Sequence, residues 1–197
     1  MGRLALYVES RGVDLQAVTA LEALRGALGY SKYLDGLRRA DLWGVWSPEG
    51  PEALRGLSDR LVRETSVFIN PNKHRWRLWA GGDDNDRIAG GDAWALIWPV
   101  DDAEGRSATA ALRSSGFVKS MSWVAKGTLW TFRFTASGRG RELALAEEIT
   151  VAVQRDRGLL ANPHIHRWAC GLGDVSMDQA LRLMGRGREK ERVPSAS

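Results

Sequence analysis

Few residues of this sequence have the types and spacing that chemistry needs. His164, His166 and Cys170 follow the pattern His-x-His-x-x-x-Cys. Strand alternation would set them on one side, and zinc accepts both imidazole and thiolate. At about 3.3 Å per extended residue, however, the first and last would lie roughly 20 Å apart. One ion cannot reach both without a bend, so no metal site is expected. Asp101-Asp102 and Glu147-Glu148 are adjacent carboxylates, and neighbours along a strand or helix point apart, so neither pair makes an acid–base couple. Cys170 follows Trp168 in a strand that reads as packed, which favours an inert thiol over a nucleophile. The sequence contains no Gly-x-Ser-x-Gly elbow, phosphate loop, dinucleotide fingerprint or His-Glu-x-x-His. No catalytic residue and no cofactor is therefore expected, and binding or assembly is favoured over chemistry.

The histidines belong to a repeated motif. Asn70-Pro71-Asn72-Lys73-His74-Arg75-Trp76 matches Asn162-Pro163-His164-Ile165-His166-Arg167-Trp168, 92 residues on, at five of seven positions. Gly29-Tyr30 matches Gly116-Phe117, and Leu42-Trp43 matches Leu129-Trp130, both 87 residues on. Three landmarks in order, with one five-residue insertion after Trp130, indicate a tandem duplication. Asn tolerates the left-handed backbone that closes a helix, and Pro cannot continue one, so Asn-Pro stops a helix and starts the last strand. Alternation then sets His74, Trp76 and Leu78 on one face, with His164, His166, Trp168 and Cys170 on the matching face of the second copy. Arg75 and Arg167 point the other way. Asn70, Pro71, His74, Trp76, Asn162, Pro163, His166 and Trp168 are the candidate interface residues. The tryptophans are expected to fill a packed interface, and the histidines to be hydrogen-bonded beside them.

The elements that must position these residues repeat as well. Leu4 to Val8 is a short apolar strand, echoed by Trp94 to Trp98. A helix follows in the first copy, with Val18, Leu21, Leu24 and Leu28 on one stripe, Asp14 as N-cap and Gly29 as its end. Ser107 to Ser115, ended by Gly116, is its shorter counterpart. A hairpin is expected next, with arms 33–37 and 42–46 in one copy and 118–124 and 128–134 in the other, Lys126-Gly127 forming a tight turn. A second helix carries Leu54, Leu57 and Leu61, or Leu145, Ile149 and Val153. Strand-helix-strand-strand-helix-strand is the ferredoxin-like α+β arrangement. The predicted organisation is one repeat over 1–80, a linker over 81–92, a second repeat over 93–171, and a tail over 172–197 holding a short helix (176–184) and a disordered basic end. Each sheet would leave one apolar face bare, for which the second copy is the expected cover.

Composition sets bounds. The chain has 197 residues, 44% hydrophobic and 26% charged, a net charge of +4 and nine tryptophans. The calculated isoelectric point is about 9.6. Part of the excess charge lies in the C-terminal stretch from Arg182 to Arg192. No apolar run approaches the roughly 18 residues that span a bilayer, and Glu9 and Arg11 come too early for a signal peptide. A single cysteine excludes an internal disulfide framework and fits a reducing cytoplasm.

Leu159-Leu160-Ala161-Asn162-Pro163, followed by a last strand with an aromatic residue, resembles the end of PurS, the small subunit of bacterial phosphoribosylformylglycinamidine synthase. Gly12-Val13-Asp14-Leu15-Gln16-Ala17-Val18, Ala23-Leu24 and Leu28-Gly29-Tyr30 are similar to its first helix and exit turn. The resemblance implies a fused, built-in dimer with no catalytic site of its own. It also implies glutaminase and synthetase subunits as partners in purine biosynthesis, with a homodimer open as a further state. A second reading is a single-stranded nucleic-acid binder, because RNA-recognition modules share the βαββαβ order and stack bases on sheet aromatics. Lys126-Gly127-Thr128-Leu129-Trp130-Thr131-Phe132-Arg133-Phe134 is faintly like their central-strand motif. Its aromatics fall out of register, so nucleic acid is the lesser expectation.

Overall fold

Leu4, Leu6 and Val8 alternate with Ala5 and Tyr7, and all five are buried, so the first strand, β1 (Gly2–Ser10), is covered on both faces. The computed structural model describes residues 2–48, 50–81, 87–88, 91–114, 122–153 and 157–185, without the side chains of 51–53 and 57–59. After β1 the chain forms α1 (Leu15–Arg25), β2 (Leu34–Ser47), α2 (Pro51–Arg63) and β3 (His74–Trp79). A short β4 (Arg87–Ile88) leads to β5 (Ala93–Pro99), α3 (Ala103–Ser114), β6 (Trp123–Phe134), α4 (Glu142–Thr150) and β7 (His166–Leu172). The chain closes with β8 (Val175–Ser176) and α5 (Met177–Gly185). The Asp14 carboxylate caps α1 by accepting from the Gln16 and Ala17 amides at 2.9 and 3.1 Å. Gly29 takes the left-handed backbone, with φ of 74°, that turns the chain back toward β2. The Leu57 side chain, the landmark Gly116-Phe117, most of the linker and the tail beyond Gly185 lie outside the described residues.

Among the described residues the expected hairpins are absent, residues 118–121 of one arm lying outside them. Residues 34–47 form one strand of 14 residues, and residues 123–134 form another of 12. Lys126 and Gly127 sit in the middle of β6, opposite Trp43 and Leu42, in an antiparallel β2–β6 ladder that runs in one register from Gly36 to Trp46 and shifts only at Leu34. The physical reason is pairing. Hairpin arms of about five residues are marginal alone, whereas two long strands satisfy each other's backbone and bury side chains on both faces. Each half thus reads strand-helix-strand-helix-strand. The halves join into one antiparallel sheet of order β3-β1-β2-β6-β5-β7.

The registers repeat. Leu6 lies between Trp43 and Leu78, and Ala95 lies between Trp130 and Cys170. Around the centre, Asp41 faces Thr128, Arg39 faces Trp130 and Trp43 faces Lys126. The β2–β6 ladder is therefore symmetric about the Asp41–Thr128 pair.

One face of the sheet carries α1 to α4. Leu4, Leu6, Val8, Trp43 and Val124 pack with α2 and α3. Ala95, Ile97, Trp130 and Phe132 pack with α1 and α4. The opposite face, for which the second copy is the expected cover, is instead covered by α5. Leu181 and Met184 pack there against Leu42, Trp46, Leu96 and Leu129. Trp46 and Trp123 stack in parallel on this face with centroids 3.6 Å apart. A Cβ on Gly44 would run into the Trp46 ring and Leu181, so glycine is what lets α5 approach the centre. The second half meets the first along the β2–β6 strand edge, leaving the broad face of the sheet free for the terminal helix. Among the described residues, no helix is long and apolar enough to cross a membrane.

Candidate functional site

The two Asn-Pro motifs make the same turn. Asn70 Oδ1 accepts from the Asn72 amide at 3.0 Å, and Asn162 Oδ1 accepts from the His164 amide at 2.9 Å. The Asn70 carbonyl accepts from the His74 amide at 2.9 Å, and the Asn162 carbonyl from the His166 amide at 2.8 Å. In return the Asn70 and Asn162 amides donate to Nδ1 of His74 and His166, each at 3.1 Å. Each histidine closes a ring with its asparagine and has its proton-bearing nitrogen set at Nε2. Pro71 and Pro163 are exposed at the turn. These eight residues form two separate turns at opposite ends of the sheet and are not brought together.

Trp76 and Trp168 depart from the packed interface expected for them. They are 36% and 38% exposed. Both lie on edge strands, so alternation fixed their face but no described strand lies along their outer side. Leu78 and Cys170, two residues on along the same face, do pack. The Cys170 thiol lies 3.7 Å from the Thr150 hydroxyl, and burial pushes its pKa up, the setting of an unreactive thiol. No three His, Cys, Asp or Glu residues among those described could hold a metal ion together.

The sheet centre holds a charged group that the sequence motifs did not flag. Arg39 donates to Asp41 at 2.6 Å and lies 3.5 Å from Asp14. Lys126 Nζ lies 2.6 Å from Glu104, 3.6 Å from Asp41 and 5.2 Å from the Trp43 ring centre. Arg39 and Lys126 occupy matching places, 87 residues apart, so the repeat itself was the available signal. The adjacent pair Asp101-Asp102 does split. Asp101 is exposed and pairs with Arg106, whereas Asp102 is buried. Asp102 accepts from the Gly105 amide at 2.7 Å and the Lys126 amide at 3.0 Å. Thr109 likewise accepts from the Val124 amide at 2.9 Å. These two side chains of the α3 region satisfy β6 where β5 has ended at Pro99.

Two adjoining hollows of about 260 and 280 Å³ flank Lys126 and share Trp98, Pro99, Asp101 and Asp102. A shallower apolar groove of about 560 Å³ lies beyond, between Trp98, Pro163, Trp168 and Leu183. Beside the hollows Lys126 faces Glu104 and Asp41, Asp101 faces Arg106, and Asp102 is held by backbone amides.

The two ends of the sheet differ in chemistry at matching places. The Arg11 amide donates to the Lys73 carbonyl at 2.8 Å, and the Val100 amide donates to the Ile165 carbonyl at 2.8 Å. One rim is therefore basic and the other apolar. No known family model and no curated protein matches the chain.

Proposed function

We propose that the protein is a noncatalytic assembly subunit of PurS type, two ferredoxin-like repeats fused into an intramolecular pseudo-dimer. In this reading it bridges the glutaminase and synthetase subunits of phosphoribosylformylglycinamidine synthase in the cytoplasm. The observation that carries it is the β2–β6 ladder, symmetric about Asp41 and Thr128, which joins two halves of the same element order edge to edge. A fused pair of this kind offers two related surfaces in fixed relation, as a bridging subunit needs. The paired charges around Lys126 agree with a role free of acid–base chemistry. In this reading each half, three antiparallel strands with two helices, corresponds to a ferredoxin-like unit with its hairpin opened into one strand. Tagged protein at native levels should co-purify with a glutaminase or a synthetase subunit. Recovery of neither would end the reading.

A single-stranded nucleic-acid role draws support from exposed Trp76 beside Arg75 and Arg77. Both sheet faces are covered by helices, however, which removes the open stacking platform that RNA-recognition modules use. Titration with mixed oligonucleotides at two salt concentrations separates the readings, since phosphate contacts give a steep salt slope.

A further inference from the structure

We propose that the outer edge of β3 receives an extended segment of a partner protein as an added strand, and that this segment alternates acidic with apolar residues. β3 ends the sheet order, and no described element pairs with its outer side. An edge strand presents outward amides and carbonyls, a template for one more strand; those of His74 are taken by the Asn70 carbonyl and Arg11 Nε, so the template lies at Trp76 and Leu78. The side chains say which strand fits. Arg75 and Arg77 are exposed on the α5 side, where Arg77 lies over the Tyr7 ring at 5.3 Å. Trp76 is exposed on the other side, between His74 and Leu78. Directly opposed residues on paired strands come within about 5 Å and interact face by face. An incoming strand therefore meets two guanidinium groups on one face and an indole on the other. Acidic side chains answer the first and apolar side chains the second.

The surroundings strengthen the charge argument. Arg11 adjoins the start of β3, its amide donating to the Lys73 carbonyl at 2.8 Å and its Nε to the His74 carbonyl at 3.0 Å. Glu9 is opposite Arg75 on β1 and accepts from the Tyr7 hydroxyl at 3.1 Å. Among the described residues Glu9 is the carboxylate set opposite Arg75, in a surround that also holds Arg11, Lys73 and Arg77. Charges on an edge strand also guard against aggregation. That explanation predicts the same guard on both edges. β7, the opposite edge, has Arg167 and Ala169 where β3 has Arg75 and Arg77, and Val100 and Ile165 where the first half has Arg11 and Lys73. The basic dress is specific to β3. A nucleic-acid strand would use the cations but not the backbone ladder.

The inference goes beyond the scaffold reading, because it names the chemistry of the bound segment and holds for any partner protein. The test is fluorescence anisotropy of the full chain with labelled peptides of about ten residues, longer than a typical strand. One peptide alternates glutamate with valine, one has the same composition with its glutamates clustered, and one alternates lysine with valine. Only the first should bind, and methylation of alternate backbone nitrogens should abolish its binding. The double substitution Arg75→Glu and Arg77→Glu should weaken it by roughly tenfold or more, and Arg75→Gln with Arg77→Gln by less, the variants' circular dichroism being unchanged. Equal binding of the clustered peptide, no binding of any peptide, or an oligonucleotide of equal charge that binds more tightly and displaces the peptide would overturn the inference. Peptide failure with intact co-purification of purine-synthesis subunits would sink this inference alone. Peptide binding without that co-purification would sink the scaffold reading alone.

Discussion

Lys126→Asn writes Asn-Gly, the pair most favoured in a two-residue hairpin turn, at a place where β6 runs straight. If the chain turned there, the substitution would stabilise it. In the observed strand it removes an ammonium held by three neighbours. The contact with Glu104 at 2.6 Å involves a carboxylate whose side chain is 66% exposed, which limits it to about 0.2–1 kcal/mol. The position over Trp43 at 5.2 Å is worth about 0.5–1 kcal/mol. Exchanging Lys for Asn in a central strand costs up to about 1 kcal/mol more. Asp41 keeps Arg39 at 2.6 Å and Glu104 is largely in solvent, so no buried carboxylate is orphaned and the cost is contained. The total is about 2 kcal/mol, or roughly 4–8 °C in melting temperature for a chain of this size. Urea unfolding at pH 7, followed by tryptophan fluorescence, measures it. Lys126→Met keeps the stem and the strand preference, so it should lose about 1 kcal/mol. Its loss should shrink in about 0.5 M salt, where the ion pairs are screened. A Lys126→Asn protein as stable as the parent, or more stable, would refute the continuous strand.

Asp102→Ala should cost about 2–5 kcal/mol, because the Gly105 and Lys126 amides both lose their acceptor in a buried place, while Asp102→Asn retains an acceptor and should cost clearly less. Equal losses in chemical denaturation would show that hydrogen bonding is not the cause. Leu181→Ala should cost about 2–5 kcal/mol, since its fully buried side chain seals α5 onto the sheet. A change under about 1 kcal/mol in calorimetry would mean that α5 does not complete the core. Burial, then Glu9, pushes the Tyr7 pKa from 10.0 up to about 12. Burial, then the hydrogen bond to Glu148 at 2.9 Å, does the same for Tyr30. The folded state holds these protons more tightly than the unfolded chain does. The stability they contribute is full below pH 10 and falls as pH rises from 10 toward 12. Phenolate absorbance should show both groups ionising late, which comparison with Tyr7→Phe and Tyr30→Phe assigns. Ionisation of both near pH 10 in still-folded protein would contradict these surroundings.

What the sequence settled is what short-range geometry controls. Asp14 caps α1 because its carboxylate reaches amides two and three residues on. Asn70 and Asn162 build their turns with residues two and four positions away, so the matching motifs predict matching turns. Alternation told the face of Trp76 and Cys170. Tertiary structure decided the rest. Lys126-Gly127 can turn or extend, and extension wins only because β2, distant in sequence, offers a full-length partner. The bare face went to α5 because the halves join along an edge, a choice between arrangements that hydrophobic pattern does not rank. Trp76 and Trp168 stay exposed because β3 and β7 end the sheet, and a strand's own residues do not say whether another strand will lie beside it.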